Sequence, residues 1–341
     1  MDRNKKKLFW LVLAGLFCIV FLTLLTISFY GYVLEKIGVE YAENSRTYDR
    51  YFVMIVGNTE SQFWKDTYTC VREEAAAQNA YVELKGTSQS SSYTMTDFMD
   101  MSIAAKVDGI LLACTAEEAL EGKINEANEK GIPVVTILND APKTGRKSYV
   151  GINPYQLGQE YAAQIWNILP KERENLRITV LLHDNAIDSN QSQIFSQINN
   201  LMVTSEETQG RVRVEEIRIS SERAFESEEI VWNLFQNDHG APDIIVCMDE
   251  LDTEAVYQAV IDYNRVGETQ VIGYYKSPAT LEAVRRGTMA MSLYIDTEQM
   301  GKYSVQAMME CIRDGRTNSF YSVDLQFVDS ENVSGFMRRG R

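Results

Sequence analysis

The sequence has few of the residues on which metal sites and histidine-based catalysis depend. Its 341 residues include two histidines, His183 and His239, which are too isolated for a metal site or a catalytic triad. No glycine-rich phosphate loop follows a predicted strand, so dinucleotide and phosphate-loop chemistry have no support. The acidic cluster Asp249–Asp252 lacks the spacing of a calcium loop, and Asp252 is equally typical of a helix N-cap. We therefore expect no metal, no cofactor and no enzymatic activity.

The five cysteines also lack the spacing of a metal site. Cys18 falls in a long apolar run, and Cys70, Cys114, Cys247 and Cys311 fall on apolar strand or helix faces. A free cysteine behaves as a small hydrophobe, so we expect buried thiols. The sequence leaves a Cys70–Cys114 or a Cys70–Cys311 disulfide open as an alternative.

Basic residues are scarce relative to acidic ones. The chain has 33 Lys and Arg residues against 48 Asp and Glu residues, a formal net charge of −15. Such a surface repels nucleic acid phosphates, and no basic stripe offsets it. We therefore expect no nucleic acid partner, and neutral or cationic small molecules instead.

The first thirty residues contain the longest uncharged run. Arg3 and Lys5–Lys7 precede Leu8–Tyr30, 23 residues without a charge, which is long enough to span a bilayer as a helix. The basic flank predicts a cytoplasmic tip and an extracytoplasmic remainder. No small-residue cleavage site follows the run, so we expect an uncleaved single-pass signal anchor in the cell membrane, with cleavage as the alternative. Residues 31–50 would form a stalk.

After the stalk, a strand, a loop and a helix open a folded domain. Phe52–Val56 is an uninterrupted apolar run, typical of a strand buried on both faces. A helical pattern starts near Gln62. Ligands bind such sheets beyond the carboxyl ends of their strands, and here Phe63 and Trp64 stand in succession. We expect only one of two consecutive aromatic side chains to face inward, so the other is a candidate ligand contact.

Predicted strands and helices alternate along the rest of the chain, which indicates an α/β fold. Two halves of similar size predict two lobes, each a parallel sheet covered by helices. Among the later elements we expect a helix that starts at Thr253, a strand at 321–327 and a solvated tail at 336–341.

Polar side chains follow many of the predicted strands at their carboxyl ends. Each alone is typical of a turn, but together they predict a cleft lined with hydrogen-bonding groups. Carboxylates and amides that bind hydroxyls, with aromatic rings against C–H faces, are typical of sugar recognition. The set is Asn139, Asp140, Asp184, Asn185, Asp249, Glu250, Tyr275, Lys276 and Asp296.

From Tyr51 to about Val328 the chain resembles the type I periplasmic sugar-binding proteins, the ribose-binding-like group. The resemblance rests on YFVMIVGNTESQFW, DGILLACTAEEAL, GIPVVTILNDAPKTGRKSYVGINPYQLGQ and VIGYYKSPATLEAVRRGTMAMSLYIDTEQMGKYSVQAM, and on the order of the elements between them. It implies two lobes joined by a three-crossover hinge near Ile152, Asp296 and Val323, with a sugar trapped between them. The lobes would comprise 51–152 plus 297–322 and 153–296 plus 323–335.

The resemblance also implies which residues contact the ligand. Ser61, Phe63 and Trp64 match the family's polar and aromatic wall, and Asn139 and Asp140 match its pair after the fourth strand.

Two positions depart from the family pattern. Gln191 stands where the family often has an arginine, and Tyr275 stands where many members have a sugar-binding aspartate. These departures argue against ribose or a common hexose. The predicted ligand-binding set is Ser61, Phe63, Trp64, Asn139, Asp140, Gln191, Asp249, Tyr275 and Asp296.

The resemblance predicts a membrane-anchored solute-binding protein that traps a mono- or small oligosaccharide and presents it to an ABC importer. The alternative is a tethered sugar sensor that signals to a membrane histidine kinase, since a tethered receptor cannot shuttle between distant permeases. Sugar-responsive repressors share this core behind a DNA-reading domain, but here a predicted membrane span occupies that position.

Overall fold

The computed structural model describes residues 10, 13, 15, 16, 20–26, 28, 29, 47–87, 92–115, 118–182, 190–219, 226–236 and 240–339. The chain divides into two compact units, Met1–Thr47 and Tyr48–Arg341. Within the described residues, no helix combines the length and apolarity that crossing a bilayer requires. Much of the predicted span Leu8–Tyr30, and the predicted stalk as far as residue 46, lie outside the described residues.

The second unit contains two six-stranded sheets, of which the first is parallel throughout. Its strands lie in the order β11-β5-β4-β3-β1-β2. They are β1 (Arg50–Val56), β2 (Ala80–Gly86), β3 (Gly109–Leu112), β4 (Val134–Ile137), β5 (Ser148–Gly151) and β11 (Phe320–Ser322).

The second sheet has the order β12-β10-β9-β8-β6-β7. It is parallel except at one edge, where its last strand runs antiparallel to its neighbour. Its strands are β6 (Leu176–Leu182), β7 (Val212–Arg218), β8 (Ile244–Cys247), β9 (Gln270–Tyr274), β10 (Met291–Ile295) and β12 (Leu325–Asp329).

Helices connect these strands, which confirms the predicted α/β class with two mainly parallel sheets. The helices of the second unit are α1 (Gln62–Ala77), α2 (Met95–Ala105), α3 (Glu118–Glu129), α4 (Pro154–Ile168), α5 (Asn190–Thr204), α6 (Glu226–Gln236), α7 (Glu250–Asp262), α8 (Pro278–Arg285), α9 (Thr297–Asp314) and α10 (Val333–Arg339).

The buried run in β1 shows why the sequence forms this sheet. Phe52, Met54 and Val56 pack into one apolar cluster, while Val53 and Ile55 pack into another on the opposite face. Alternate side chains of a strand point to opposite faces, so an apolar residue at every position fits a strand covered on both sides. Burying each such side chain contributes roughly 1.5–3 kcal/mol.

The chain passes between the two sheets three times. It leaves the first sheet after β5, returns to it through α9 after β10, and leaves it again between β11 and β12. The crossover positions implied by the family resemblance, near Ile152, Asp296 and Val323, fall at these three passages.

The predicted single strand at 321–327 is wrong, because the structure divides it between the two sheets. β11 pairs with β5, and β12 pairs with β10. The Val323 N–H still donates to Gly151 O (2.9 Å), whereas Asp324 O already accepts from the Asp296 N–H (3.0 Å). The chain therefore stops bonding to the first sheet and starts bonding to the second within two residues. The local apolar pattern does not indicate that change.

Two other boundaries differ from the sequence prediction. α7 begins at Glu250 instead of Thr253, and its N-cap is Asp249, while Asp252 is buried inside the helix. The predicted solvated tail overlaps α10, in which the Phe336 ring packs 5.2 Å from the Tyr294 ring.

No disulfide joins the four described cysteines. Cys114 and Cys247 are buried, as expected, whereas Cys70 and Cys311 are only partly buried. A side chain at Gly301 in α9 would meet the Cβ of Cys70, so this part of α9 lies against Cys70. Cys311 is ten residues further along α9, about 15 Å along the helix axis. That separation exceeds the reach of a disulfide.

Candidate functional site

The carboxyl ends of strands from both sheets face each other, and side chains from the two sides are in direct contact. β1 leads into α1 on one side, and β8 and β9 lead into α7 and the loop at Tyr275 on the other. Hydrogen bonds join Glu250 to Ser61 and Phe63, and Tyr275 to Asp66. We call the space around these residues the cleft.

Glu250 reaches across the cleft to the amino terminus of α1. One carboxylate oxygen accepts from the Phe63 N–H (3.2 Å), and the other accepts from the Ser61 hydroxyl. Ser61 is also the N-cap of α1, since its oxygen accepts from the Trp64 N–H at 3.3 Å. The first N–H groups of a helix lack intrahelical partners and favour a negative charge, so this contact is favourable.

Burial raises the pKa of the Glu250 carboxyl to about 7. Asp249 and Glu254 raise this pKa further, while the hydrogen bonds from Ser61 and Phe63 lower it. Desolvation outweighs the hydrogen bonds because the half-buried carboxylate has lost much of its water.

Tyr275 makes the second contact across the cleft. Its hydroxyl donates to the Asp66 carboxylate at 2.5 Å, and its ring meets the Phe63 ring edge-on at 5.1 Å. Burial and the bond to Asp66 raise the pKa of the Tyr275 hydroxyl well above its usual range. The Tyr275 backbone has φ of +62°, an uncommon value for a residue with a side chain, and Ser292 donates to its carbonyl at 2.7 Å.

Both members of the aromatic pair are buried, contrary to the expectation that only one would face inward. Phe63 is 1% exposed and Trp64 is 9% exposed. Phe63 contacts Trp64 (4.8 Å between ring centroids), Tyr274 (6.1 Å) and Tyr275 (5.1 Å). Phe63 therefore owes part of its burial to the last residue of β9 and the residue after it, which belong to the other sheet and which a helical pattern cannot reveal.

A cavity lies on the other side of Tyr274, whose ring Phe63 contacts. It measures about 60 Å³, room for about four waters at roughly 10–15 Å³ each and less than a sugar occupies. Asn139 and Gln191 of the predicted set line it, together with Asn190 and Tyr274. A larger groove of about 530 Å³ lies between α4 and α5, and no predicted site residue lines it.

Asn190 lines this cavity. Its side-chain amide donates to Leu138 O at 3.3 Å and lies 3.5 Å from the Tyr149 hydroxyl. The family resemblance selected Gln191, and Asn190, the residue before it, was not predicted although it also lines the cavity.

Three predicted residues make local contacts. Asp140 accepts from Arg146 Nη2 and from the Ala141 N–H, both at 2.7 Å. Asp249 accepts from the Leu251 N–H (2.7 Å) as the cap of α7, and Asp296 accepts from the Gln299 N–H (3.0 Å) as the cap of α9.

The structure thus brings Phe63 and Tyr275 into contact and links Ser61 to Phe63 through Glu250. It also adds two carboxylates, Glu250 and Asp66, that the predicted set did not contain. Glu250 was noted beside Asp249 but not chosen, although an Asp N-cap followed by an acid in the first turn was a usable signal. Asp66 offered no such signal. His183, Asp184, Asn185 and His239 lie outside the described residues.

This arrangement supplies hydrogen-bond acceptors and aromatic rings between two sheets. Within the described residues, no group of His, Cys, Asp and Glu side chains is arranged to hold a metal ion. The fold and the cleft define an α/β protein with two mainly parallel sheets and polar and aromatic side chains between them.

Comparison with known families agrees with this class. Residues 52–317 match the family described as the periplasmic binding protein domain, and the chain belongs to that family. The resemblance inferred from sequence is thereby confirmed at the level of the family. No curated protein sequence matches the chain.

Solved structures share the fold at low sequence identity. GanP, a glucose-galactose binding protein from Geobacillus stearothermophilus, is 22% identical with a TM-score of 0.72, over 83% of this chain and 98% of its own. A XylFII–LytSN complex is 23% identical with a TM-score of 0.70, over 83% and 98%. A sugar-binding protein of a sugar ABC transporter from Bacillus halodurans is 20% identical with a TM-score of 0.70, over 84% and 99%.

Proposed function

We propose that this protein is a non-catalytic, extracytoplasmic solute-binding protein that traps a sugar between two lobes and presents it to an ABC importer. The observation that carries the proposal is the direct contact of Glu250 and Tyr275 with Ser61, Phe63 and Asp66 across the cleft. Carboxylates, hydroxyls and aromatic rings converge there from both sheets, which is the chemistry of sugar recognition. Family membership and the sugar-binding relatives support the same role.

The two lobes would comprise 51–152 plus 297–322 and 153–296 plus 323–335. A ligand contacts both lobes at once only when they are closed, and that difference in contact drives closure. The remaining cavity is smaller than a sugar, so a ligand would separate Tyr275 from Asp66 and Glu250 from Ser61 as it enters. Ser61, Phe63, Trp64, Asn139, Gln191 and Tyr275 would be the ligand contacts, and Asp140, Asp249 and Asp296 would hold the surrounding loops.

A thermal-shift screen of the full-length chain against mono- and disaccharides tests the proposal. A ligand present at 100 times its dissociation constant should add about 2.7 kcal/mol to the free energy of unfolding. Ligands that stabilise the wild type should stabilise Tyr275→Ala much less, and Glu129→Gln, an exposed change at the end of α3, should respond like the wild type. A complete carbohydrate panel without any shift would contradict sugar binding.

The same protein would be anchored in the membrane by Leu8–Tyr30, with the binding domain outside. The uncharged run and the basic residues before it support this part of the proposal. Protease added to intact cells should remove the domain while an amino-terminal epitope tag stays protected. A mature chain that begins after Tyr30 would show that the anchor is cleaved.

The second candidate is a tethered sugar receptor that signals to a sensor histidine kinase. The XylFII–LytSN complex among the structural relatives favours it, as does the predicted anchor. Deletion of the chain separates the two roles. Loss of sugar uptake at constant gene expression supports the importer, and loss of sugar-induced transcription at constant uptake supports the sensor.

A further inference from the structure

The cleft contains two carboxylates without a cationic partner. Asp66 accepts hydrogen bonds from Gln62 Nε2 (2.7 Å) and from the Tyr275 hydroxyl (2.5 Å), and Glu250 accepts from the Phe63 N–H (3.2 Å) as well as from a serine hydroxyl. All of these donors are uncharged. Within the described residues, neither carboxylate belongs to an ion pair.

The basic side chains nearby have other partners. Arg146 pairs with Asp140 after β4. Lys276 follows Tyr275 in sequence, but its ammonium lies 4.5 Å from the centroid of the Tyr294 ring and 5.9 Å from that of Tyr275. Neither cation therefore compensates the charge of Asp66 or Glu250.

The absence of a cationic partner is unfavourable for the Glu250 carboxylate in particular. A carboxylate removed from water is stabilised most by a positive charge, and hydrogen bonds replace that charge only in part. The charged groups that act on Glu250 are Asp249 and Glu254, both acids, which oppose its ionisation. The closed cleft therefore lacks a positive charge that would stabilise the carboxylates of Asp66 and Glu250.

The aromatic rings of the cleft also suit a cation. Phe63 lies at the centre of a group with Trp64, Tyr274 and Tyr275, at centroid distances of 4.8 to 6.1 Å. Aromatic faces carry partial negative charge and attract ammonium groups within about 6 Å. Carboxylates that lack a cationic partner, together with aromatic rings, disfavour anionic ligands such as sugar phosphates or uronates.

The geometry points to a cationic, amine-bearing sugar as the ligand, with its ammonium group between Glu250 and Asp66 and its ring against Phe63. This inference rests on the proposed function and names the class of sugar. The ammonium would replace the uncharged groups that donate hydrogen bonds to the two carboxylates in this structure. Each lobe would contribute one carboxylate, so the cation would hold the closed form together.

Matched pairs of amino and neutral sugars test this inference by calorimetric titration of the full-length chain at pH 7. The probes are glucosamine and glucose, galactosamine and galactose, and mannosamine and mannose, with spermidine as an amine without a sugar ring. In each pair that binds, we expect the amino sugar to bind at least about tenfold more tightly, equivalent to about 1.4 kcal/mol.

Two variants assign the preference to the carboxylates. Glu250→Gln and Asp66→Asn keep the shape of each side chain and its ability to accept hydrogen bonds, and each should reduce the preference for the amino sugar about tenfold or more. Glu129→Gln removes the same charge from the exposed end of α3, next to the amino-terminal end of β4, and should leave the preference unchanged. Circular dichroism melting curves establish that each variant is folded.

The outcomes separate this inference from the proposed function. Neutral sugars that bind as tightly as their amino partners would overturn the inference and leave sugar binding intact. A preference for amino sugars that survives both Glu250→Gln and Asp66→Asn would overturn the assignment of these carboxylates. Spermidine binding without binding of any sugar would retain the cation site and overturn the proposed function. No binding by any probe would overturn both.

Discussion

At the scale of single residues, the burial of Trp64 is compatible with two roles, a core residue or a ligand contact. The sequence predicts that one of the consecutive residues Phe63 and Trp64 faces inward and that the other is a candidate ligand contact. In the structure both side chains belong to one apolar cluster that contains residues of both sheets. Burial between two sheets therefore does not distinguish a core residue from a ligand contact.

Substitution of Trp64 distinguishes the two roles. We expect Trp64→Ala to weaken ligand binding by about 2 kcal/mol or more, the scale of an aromatic anchor. Val71→Ala, two turns further along α1 and fully buried, should lower the free energy of unfolding without changing affinity. Affinity and unfolding should be measured on the same samples. Native affinity in Trp64→Ala with a strongly lowered melting temperature would assign Trp64 to the core.

The raised pKa of Glu250 predicts a dependence of stability on pH. Its pKa is about 7 in the folded protein against an ordinary value of 4.5. The folded state therefore binds this proton more tightly than the unfolded state. The contribution to stability is complete below about pH 4.5 and is lost as the pH rises through 7.

The measurement compares wild type with Glu250→Gln, which cannot titrate. The difference in melting temperature between them should shift against the wild type as the pH rises from 4.5 to 7, and then level off. Glu129→Gln serves as the control for removal of a surface charge. A constant difference across this range would show that Glu250 has an ordinary pKa in the folded protein.

At the scale of elements, the packing of α1 against α9 depends on one glycine. A Cβ at Gly301 would lie 2.6 Å from the Cβ of Cys70 and 2.8 Å from the backbone nitrogen of Val71. The second of these atoms belongs to the backbone of α1, so the two helices would have to separate. Both helices cover the first sheet, and α1 carries the aromatic pair into the cleft.

We expect Gly301→Ala to lower the free energy of unfolding by about 1–3 kcal/mol, the usual cost of overpacking. Gly122→Ala is the matched control, because Gly122 lies inside α3 and nothing stands within 4 Å of a Cβ there. That change should stabilise the protein by roughly 0.5–1 kcal/mol. Chemical denaturation measures both variants, and equal effects of the two substitutions would contradict close packing at Gly301.

At the scale of the whole molecule, the contacts across the cleft predict an opening motion. A sugar enters only if the bonds of Tyr275 to Asp66 and of Glu250 to Ser61 are broken. We therefore expect the ligand-free protein to populate open forms and to become more compact when a sugar saturates it. Small-angle X-ray scattering should show a smaller radius of gyration with ligand and no change with a sugar that does not bind. An unchanged radius at saturation would indicate a receptor that is already closed without ligand.

Much of the architecture was predictable because local periodicity reports burial. The apolar run Phe52–Val56 indicated a strand covered on both faces, and the alternation of such runs with helical patterns indicated two α/β halves. Phe63 and Tyr275 were predicted as candidate site residues from their places beyond the carboxyl ends of strands, and Ser61 from the family resemblance. These inferences need only the spacing of residues within one segment.

Only the tertiary structure decided which side chains meet. Glu250 and Phe63 are 187 positions apart, and Tyr275 and Asp66 are 209 apart, so no local pattern links them. The choice of Glu250 over Asp249 depended on where α7 begins, and the division of 321–327 between two sheets depended on which neighbours supplied hydrogen bonds. The sequence by itself determined most of the helices and strands, because burial patterns and turn residues are local. It also predicted the edge of the sheets at which a ligand is expected to bind. The contacts between side chains across the cleft were decided only when the two sheets were placed against each other, because these contacts join segments that are remote in the chain.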